Sequence, residues 1–521
     1  MTNSDGDPRP NCRSMWLRRQ RAKTSCNGPR VLLTTTKAPC QQGEASEDAQ
    51  NTMPVLELDK LPEDIFHHIH TLVPLRDAAR AACVSHRFLR SWRCFPNLTF
   101  NQETLGLNVQ EGTPYEREKK LMDRIDHIVQ NHSGMGVKTL KLKAHPCHNV
   151  ITADHLDIWF QAVIKSGIME IAVELPQDHR PKYNFSCSLL SCAGSSLRSL
   201  SLFSCAFRPT LRIGCLKSLK SVCLKFVHIT GEELGCLFSS TISLEELEVS
   251  LCDEIIFLNI PSHLQQLSTL KVFMCKRIQT IEIYAPKVST FLFKGPPMEI
   301  FISNSSQLKY MVMDGVFYSG MIQYARTKLH SIASNLQTLT LLSSEEAFNA
   351  PMLPEKFLQL RHLNIYFSGI GFKNYDYFSL VSFLEACPAL ESFFLAAGDY
   401  CNIMPNSILQ DSNADSSHIR RIPEFRHANL KKVSIRRFCS TKSLVELTCQ
   451  LIENSPSLRC LVLDTTRGFY PSGKCQCMYK EDVIKALSAV EAVKRYIEGK
   501  VPPSVEFKVR EPCRLCHIPK L

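Results

Sequence analysis

Apolar residues recur along this chain on one template, apolar-x-x-apolar-x-apolar, which appears thirteen times. It begins at Val137/Leu140/Leu142, Ile168/Ile171/Val173, Leu197/Leu200/Leu202, Leu219/Val222/Leu224 and Leu244/Leu247/Val249. It continues at Leu267/Leu270/Val272, Val288/Phe291/Phe293, Leu308/Met311/Met313, Leu336/Leu339/Leu341 and Leu360/Leu363/Ile365. The last copies are Leu390/Phe393/Leu395, Leu430/Val433/Ile435 and Leu458/Leu461/Leu463. Each predicts a short strand with its apolar residues on one face, because strand side chains alternate.

The mean spacing, about 27 residues, is that of a leucine-rich repeat. Three residues past the final apolar position the full repeat places Asn or Cys, and here Cys205, Cys252 and Cys275 fall on that position. They read as small buried thiols that help close the turn. Phe383–Pro388 and Leu451–Pro456 each read as a helix stopped by proline before the next strand, and the Asn/Asp/Ser-rich Asp399–Ser417 reads as an inserted loop. A helix over Val490–Gly499 and a strand over Val505–Val509 are expected to cap the exposed end. The predicted fold is α/β: an irregular solenoid over 137–465 with a parallel sheet on its concave face, capped by 466–521. Side chains between the apolar positions should line that face: Phe203, Lys225, Glu246, Glu248, Lys271, Phe273, His362, Tyr366, Phe394, Lys432 and Arg436. Phe203, Lys225, Lys271, Phe273, His362, Tyr366, Phe394 and Arg436 are the target-binding candidates, since mixed charges with aromatics suit a protein or a small ligand.

The N-terminal third is organised differently. Residues 1–53 are polar and rich in Pro and Gly, the signature of a disordered basic tail. Its Arg18-Arg19-Gln20-Arg21-Ala22-Lys23 cluster reads as solvated surface or a nuclear import signal, and Met53 offers an alternative start. From 54 to 100 the pattern is helical, with Leu61, Ile65, Ile69 and Leu72 on one stripe and Pro62, Glu63 and Asp64 suited to a first turn. A second helix fits Arg76–Cys83, and Ser85 is placed to cap a third that buries Phe88 and Trp92. A linker or N-terminal cap over 101–136 contains a helix from Glu116–Lys120 through Ile128.

The residues Leu61-Pro62-Glu63-Asp64-Ile65, Leu75-Arg76-Asp77-Ala78-Ala79, Val84-Ser85-His86-Arg87-Phe88 and Trp92-Arg93 resemble an F-box, with Phe88 where the family often has Trp. With the repeats, the chain resembles plant F-box proteins carrying C-terminal leucine-rich repeats. The resemblance implies a substrate receptor of an SCF ubiquitin ligase, docking a Skp-type adaptor and, through it, a cullin. The docking residues it implies are Leu61, Pro62, Ile65, Ile69, Leu72, Leu75 and Arg76. A non-ligase leucine-rich scaffold is the alternative.

Composition narrows the chemistry. At 521 residues, 44% hydrophobic and 21% charged, the chain is ordinary globular protein, and no apolar run is long enough to span a membrane. More than half of the net charge of +11 comes from residues 1–40, which disfavours nucleic acid as the partner. Without an apolar N-terminal leader, the 23 cysteines are expected reduced, in nucleus or cytoplasm, and the Asn97, Asn131, Asn184 and Asn304 glycosylation patterns bare. Cys513-Arg-Leu-Cys516-His517 matches a haem-attachment pattern but reads better as a capping turn; with Cys475 and Cys477 it leaves zinc open. His145-Pro-Cys147-His148 reads as a loop, and His67, His68 and His70 as surface of the first helix. No phosphate-loop, dinucleotide or hydrolase motif occurs. The expectation is therefore an adaptor without catalytic residues, metal or cofactor, leaving ubiquitin transfer to partner subunits. A small molecule in the concave face stays open.

Overall fold

Every one of the thirteen templates forms a strand, from Thr139–Lys143 to Cys460–Asp464. In the computed structural model they lie side by side in chain order as one fifteen-stranded parallel sheet. The structure describes residues 62–107, 112–144, 150–177, 182–211, 214, 216–303, 305–346, 356–368, 375–398, 406–410, 419–423, 425–468, 476 and 478–513. Residues 59–521 belong to one unit; residues 1–61, which include the basic tail, lie outside the described residues.

Register follows the template: Leu200 pairs Val222, Leu247 pairs Leu270, and Leu395 pairs Ile435. Each repeat thus stacks its apolar residues on those of the next, and Leu200, Leu224, Leu247 and Leu270 are fully buried. A leucine buried this way contributes roughly 1.5–3 kcal/mol, so the ladder is the main source of stability.

The two edge strands complete the sheet. Asn97–Phe100, the last residues of the helical N-terminal segment, pairs with Thr139–Lys143 as the first strand. Glu506–Arg510 pairs with Cys460–Asp464 as the last. The helix before it runs over Lys480–Tyr496, ten residues earlier in start than the chain pattern indicates, because Val483, Ala486, Ala489, Val493 and Tyr496 form its buried stripe.

The backs of the repeats vary with spacing. Where the templates at 244, 267, 288 and 308 lie 23, 21 and 20 residues apart, no helix fits. The chain returns there through Phe257–Ile260, Thr280–Ile283 and Glu299–Ile302, which form a small parallel sheet of their own. Longer repeats return through helices such as Gly231–Ser239 and Lys442–Asn454. After the strands, Ser204, Phe226, Leu251, Met274 and Arg437 take φ of 53–61° without being glycine. Their strain is offset by bonds to the next repeat, such as Ser204 N–H to Lys225 C=O and Leu251 N–H to Phe273 C=O, at 2.9 and 2.8 Å. Cys252 lies beneath one such turn and donates weakly to the Leu224 and Ser250 carbonyls.

The N-terminal helices are α1 (Glu63–Leu72), α2 (Leu75–Ala82) and α3 (His86–Trp92). Ser85 caps α3, accepting from the Arg87 N–H at 3.2 Å, as its position predicts. Pro62 stands at the N-cap of α1, one residue before the first turn. The linker helix α4 (Pro114–Asn131) begins in a reciprocal box: Thr113 Oγ1 accepts from Glu116 N–H, and Glu116 Oε2 from Thr113 N–H.

Candidate interaction surfaces

On α1 the inward residue is Phe66, whose ring meets Phe88 edge-on at 4.8 Å and lies under the Arg87 guanidinium at 4.6 Å. Ile65, Ile69 and Leu72, spaced by four and three, form a stripe about a quarter turn round the helix from it. Leu72 is 72% exposed and Ile65 38%, and Val84, after α2, is also exposed. Pro62 and Arg76 are exposed and Ile69 is half-buried. The Arg76 side chain passes close to the loop that contains Gly106. Gly106 sits there at φ +67°, and a Cβ at that position would come within 3.3 Å of Arg76 Nε.

Leu75 is the correction to the docking set. It is only 5% exposed, and with Ala78 it joins the core that contains Phe95, Leu98 and Phe100. It anchors α2 to the first strand of the sheet and presents nothing to a partner. The small helical unit thus completes its core on the repeat array itself. Leu61, and the side chains of His67 and His70, lie outside the described residues. The outer face of α1 is an apolar stripe that no part of the described chain covers, the usual mark of a protein-binding surface.

The open face of the sheet divides into two zones. Towards the N-terminal end its charges are mutually satisfied. Lys141 pairs with Glu170 at 2.8 Å and Lys143 with Glu174 at 2.7 Å. Two of the target-binding candidates are neutralised the same way: Lys225 meets Glu248 at 2.8 Å and Lys271 meets Glu246. Burial penalises the Lys225 ammonium, but the hydrogen bond and charge of Glu248 outweigh it and raise its pKa. Phe203 stacks edge-on with Phe226 at 5.4 Å, and Phe273 stands half-buried three strands on.

Towards the C-terminal end the face is aromatic. Tyr366 and Phe394, on adjacent strands, lie 5.1 Å apart, and burial raises the Tyr366 pKa against the opposing charge of Arg436. His362, four residues earlier on the strand of Tyr366, is exposed. Arg436 donates to the Arg467 carbonyl at 2.8 Å. Three further residues belong here. Tyr310 and Val312 occupy outward positions of their template, so the alternation rule reaches them as well. Phe317, 66% exposed and 5.4 Å from the Lys294 ammonium, lies on a strand extension that no repeat pattern signals.

The eight candidates are not one site. Nine strand steps separate Phe203 from Arg436 in the sheet order, on the order of 40 Å. The structure brings Tyr366, Phe394 and Arg436 together and leaves Phe203, Lys225, Lys271 and Phe273 in the other zone.

The repeat cysteines are structural. Burial pushes the Cys205 thiol up to about 12 and that of Cys275 up to about 11, and it raises Cys252 and Cys387 too, the reverse of a nucleophile's requirement. Among the described residues no group of three His, Cys, Asp or Glu converges on a metal position, and no helix there is long and apolar enough to cross a membrane. Cys475, Cys477, Cys516, His517 and the His145–His148 cluster lie outside the described residues.

Comparison with known proteins agrees with this geometry. The F-box domain family matches residues 58–99, and the At1g61320/AtMIF1 LRR domain family matches residues 128–514. A putative FBD-associated F-box protein of Arabidopsis thaliana is 26% identical over 200 residues, 38% of this chain but only 41% of that protein. A second FBD-associated F-box protein of that plant is 22% identical over 81% of this chain and 92% of its own length. A solved TLR13–ssRNA13 complex aligns at a TM-score of 0.33 and 12% identity, over 75% of this chain and 59% of that one, too loosely to bear on function. With an F-box at its N-terminal end and one repeat domain matched over most of its length, the chain belongs to the plant F-box proteins with a leucine-rich-repeat domain of the At1g61320/AtMIF1 family.

Proposed function

We propose that this protein is the substrate-recognition subunit of an SCF-type cullin-RING ubiquitin ligase. The outer stripe of α1, with Pro62 at its N-cap and Arg76 on α2, docks a Skp-type adaptor, and the adaptor brings the cullin. The repeat array holds a target protein on its open face, with or without a small molecule between them. Ubiquitin transfer belongs to partner subunits working in nucleus or cytoplasm. The receptor contributes effective concentration: a target lysine held near the charged enzyme reacts as if the step were intramolecular.

The observation that carries this reading is the exposed Ile65/Leu72 stripe on helices that share a core with the repeat sheet. Docking face and target face then belong to one unit, and a target bound on the sheet is carried wherever the helices dock. The test is adaptor capture by the full chain, wild type against Leu72→Asp. Leu72 is exposed, so the variant should keep its circular dichroism and melting temperature. Losing a leucine's burial, about 2 kcal/mol, and desolvating a carboxylate in its place should weaken capture at least thirtyfold. Failure of the wild-type chain to recover adaptor or cullin would sink the proposal and favour the scaffold reading.

A further inference from the structure

In the repeats of the aromatic zone, the residue after the first apolar position of each template is Lys309, Gln337, Arg361, Glu391, Lys431 or Arg459. Its carbonyl accepts from the next repeat. Lys309 C=O takes the Gln337 and Thr338 N–H groups at 2.9 Å, Arg361 C=O those of Glu391 and Ser392 at 2.8 and 3.0 Å, and Lys431 C=O those of Arg459 and Cys460 at 2.8 and 3.1 Å. This ladder fixes the residues in a row at the N-terminal ends of the strands, one per strand and about 4.8 Å apart. Lys309, Arg361, Lys431 and Arg459 thus put exposed side chains along one rim of the sheet, and Lys432 stands exposed beside them.

The rim is not charge-balanced. Glu391 lies within it, held by Lys431 at 2.7 Å and by Arg361 at 3.5 Å; Lys431 first, and Arg361 and His362 less, keep its carboxyl below the usual range. Glu506, on the last strand, is paired with Lys508 and is also near the Lys432 charge. These two carboxylates therefore face five cations, Arg361, Lys431, Lys432, Arg459 and Lys508, and Lys309 adds a sixth two strands away. Among the described residues, neither Arg459 nor Lys309 has an ion-pair partner. The rim also borders the aromatic pair, since His362 and Tyr366 share one strand and Ser392 and Phe394 the next.

We propose that this rim takes an acidic segment of a partner protein, laid across the strands with an apolar side chain on Tyr366 and Phe394. Charge selects the occupant, because surplus cations at a rim favour a chain of carboxylates. From Lys309 to Arg459 there are five strand steps, on the order of 24 Å, the reach of about seven residues of extended chain. Glu391 in the middle of the row would repel a continuous phosphate backbone, whereas separate carboxylates can pass over it. That the partner is a ubiquitination target rests on the receptor reading above; the site itself does not.

Fluorescence anisotropy of the full chain with a labelled peptide, Glu-Asp-Glu-Phe-Glu-Asp-Glu, tests it, against the same peptide with Gln and Asn for the acids. The wild type should bind the acidic peptide saturably and the neutral one at least about tenfold more weakly, and added salt should erode the difference. Lys309→Gln and Arg459→Gln should each weaken binding about two- to fivefold and together about tenfold. Both should keep the wild-type melting temperature, because neither charge has a partner to lose. Arg198→Gln, in the same row of the other zone, should leave binding unchanged; a loss there as large as in the double variant would mean diffuse attraction and overturn the proposal. Absence of saturable binding, equal binding of the neutral peptide, or unchanged binding in the double variant overturns it as well. So does tighter binding of a single-stranded oligonucleotide of equal charge, which would assign the rim to nucleic acid. Adaptor capture run on the same samples separates the two readings. Its failure with peptide binding intact sinks the receptor alone, and intact capture without peptide binding sinks the acidic-segment inference alone.

Discussion

Arg420 staples two distant segments, and its removal gives a quantitative test of the electrostatics behind the repeat sheet. Its backbone N–H and Nε donate to Glu446 at 3.1 and 2.7 Å, and Nη1 and Nη2 fork onto Asp376 at 2.8 and 2.7 Å. The guanidinium also covers the Phe378 ring at 4.7 Å. The two carboxylates are unequal, because the Glu446 side chain is 1% exposed and that of Asp376 is 29%. In Arg420→Ala the buried Glu446 keeps one backbone N–H and loses its countercharge, so the loss should be about 3–5 kcal/mol. Asp376→Ala should cost only about 1–2 kcal/mol, from a water-screened pair and the cap on Phe378 N–H. Arg420→Ala combined with Glu446→Leu removes the buried charge altogether and should recover at least half of the single-variant loss. Guanidinium denaturation followed by circular dichroism reads these as midpoint shifts at constant slope. If Arg420→Ala stays within about 1 kcal/mol of wild type, or the double variant is no better than the single, the buried-charge argument is wrong.

Three further predictions follow from the same physics. Burial lowers the pKa of His427 and of His132, so each proton is taken up first by the unfolded chain. Stability should be full above the ordinary histidine range, near 6.5, and fall as pH drops below it. His427→Gln, which keeps the donor to the Cys387 carbonyl, should flatten part of that fall in urea melts at pH 7 and pH 5. Brief alkylation with peptide mapping should modify the exposed Cys83 and Cys192 and spare the buried Cys205, Cys252, Cys275 and Cys387, and labelling of the buried set at native pH would contradict the turn-closing role. In target capture, Lys225→Ala and Lys271→Ala should change affinity less than twofold, since partners on the sheet already neutralise them, whereas Tyr366→Ala or Phe394→Ala should lose about tenfold; the opposite ranking would move the site to the other zone.

Much of this molecule is legible along the chain. Templates such as Leu247/Val249 and Leu270/Val272 become buried strands because a period-two apolar pattern has only one stable placement, on the covered face of a sheet. Leu75 was not legible in this way: α2 carries apolar residues that read equally as surface or core, and only the docking of α2 on Asn97–Phe100 separates them. Lys225 looks free in sequence because Glu248 stands a full repeat away and becomes its neighbour only through strand register. The left-handed turns at Phe226, Leu251 and Met274 carry no glycine to announce them, because their strain is offset by the hydrogen bonds their N–H groups donate to carbonyls of the following repeat.

The sequence by itself determined the thirteen template strands and their order, the buried ladder and the stripe on α1, because burial of apolar side chains acts locally and periodically. Tertiary structure alone decided which charges cancel and which aromatic residues meet. Coulombic and ring contacts depend on distances between residues one or more repeats apart, and those distances exist only once the strands have stacked.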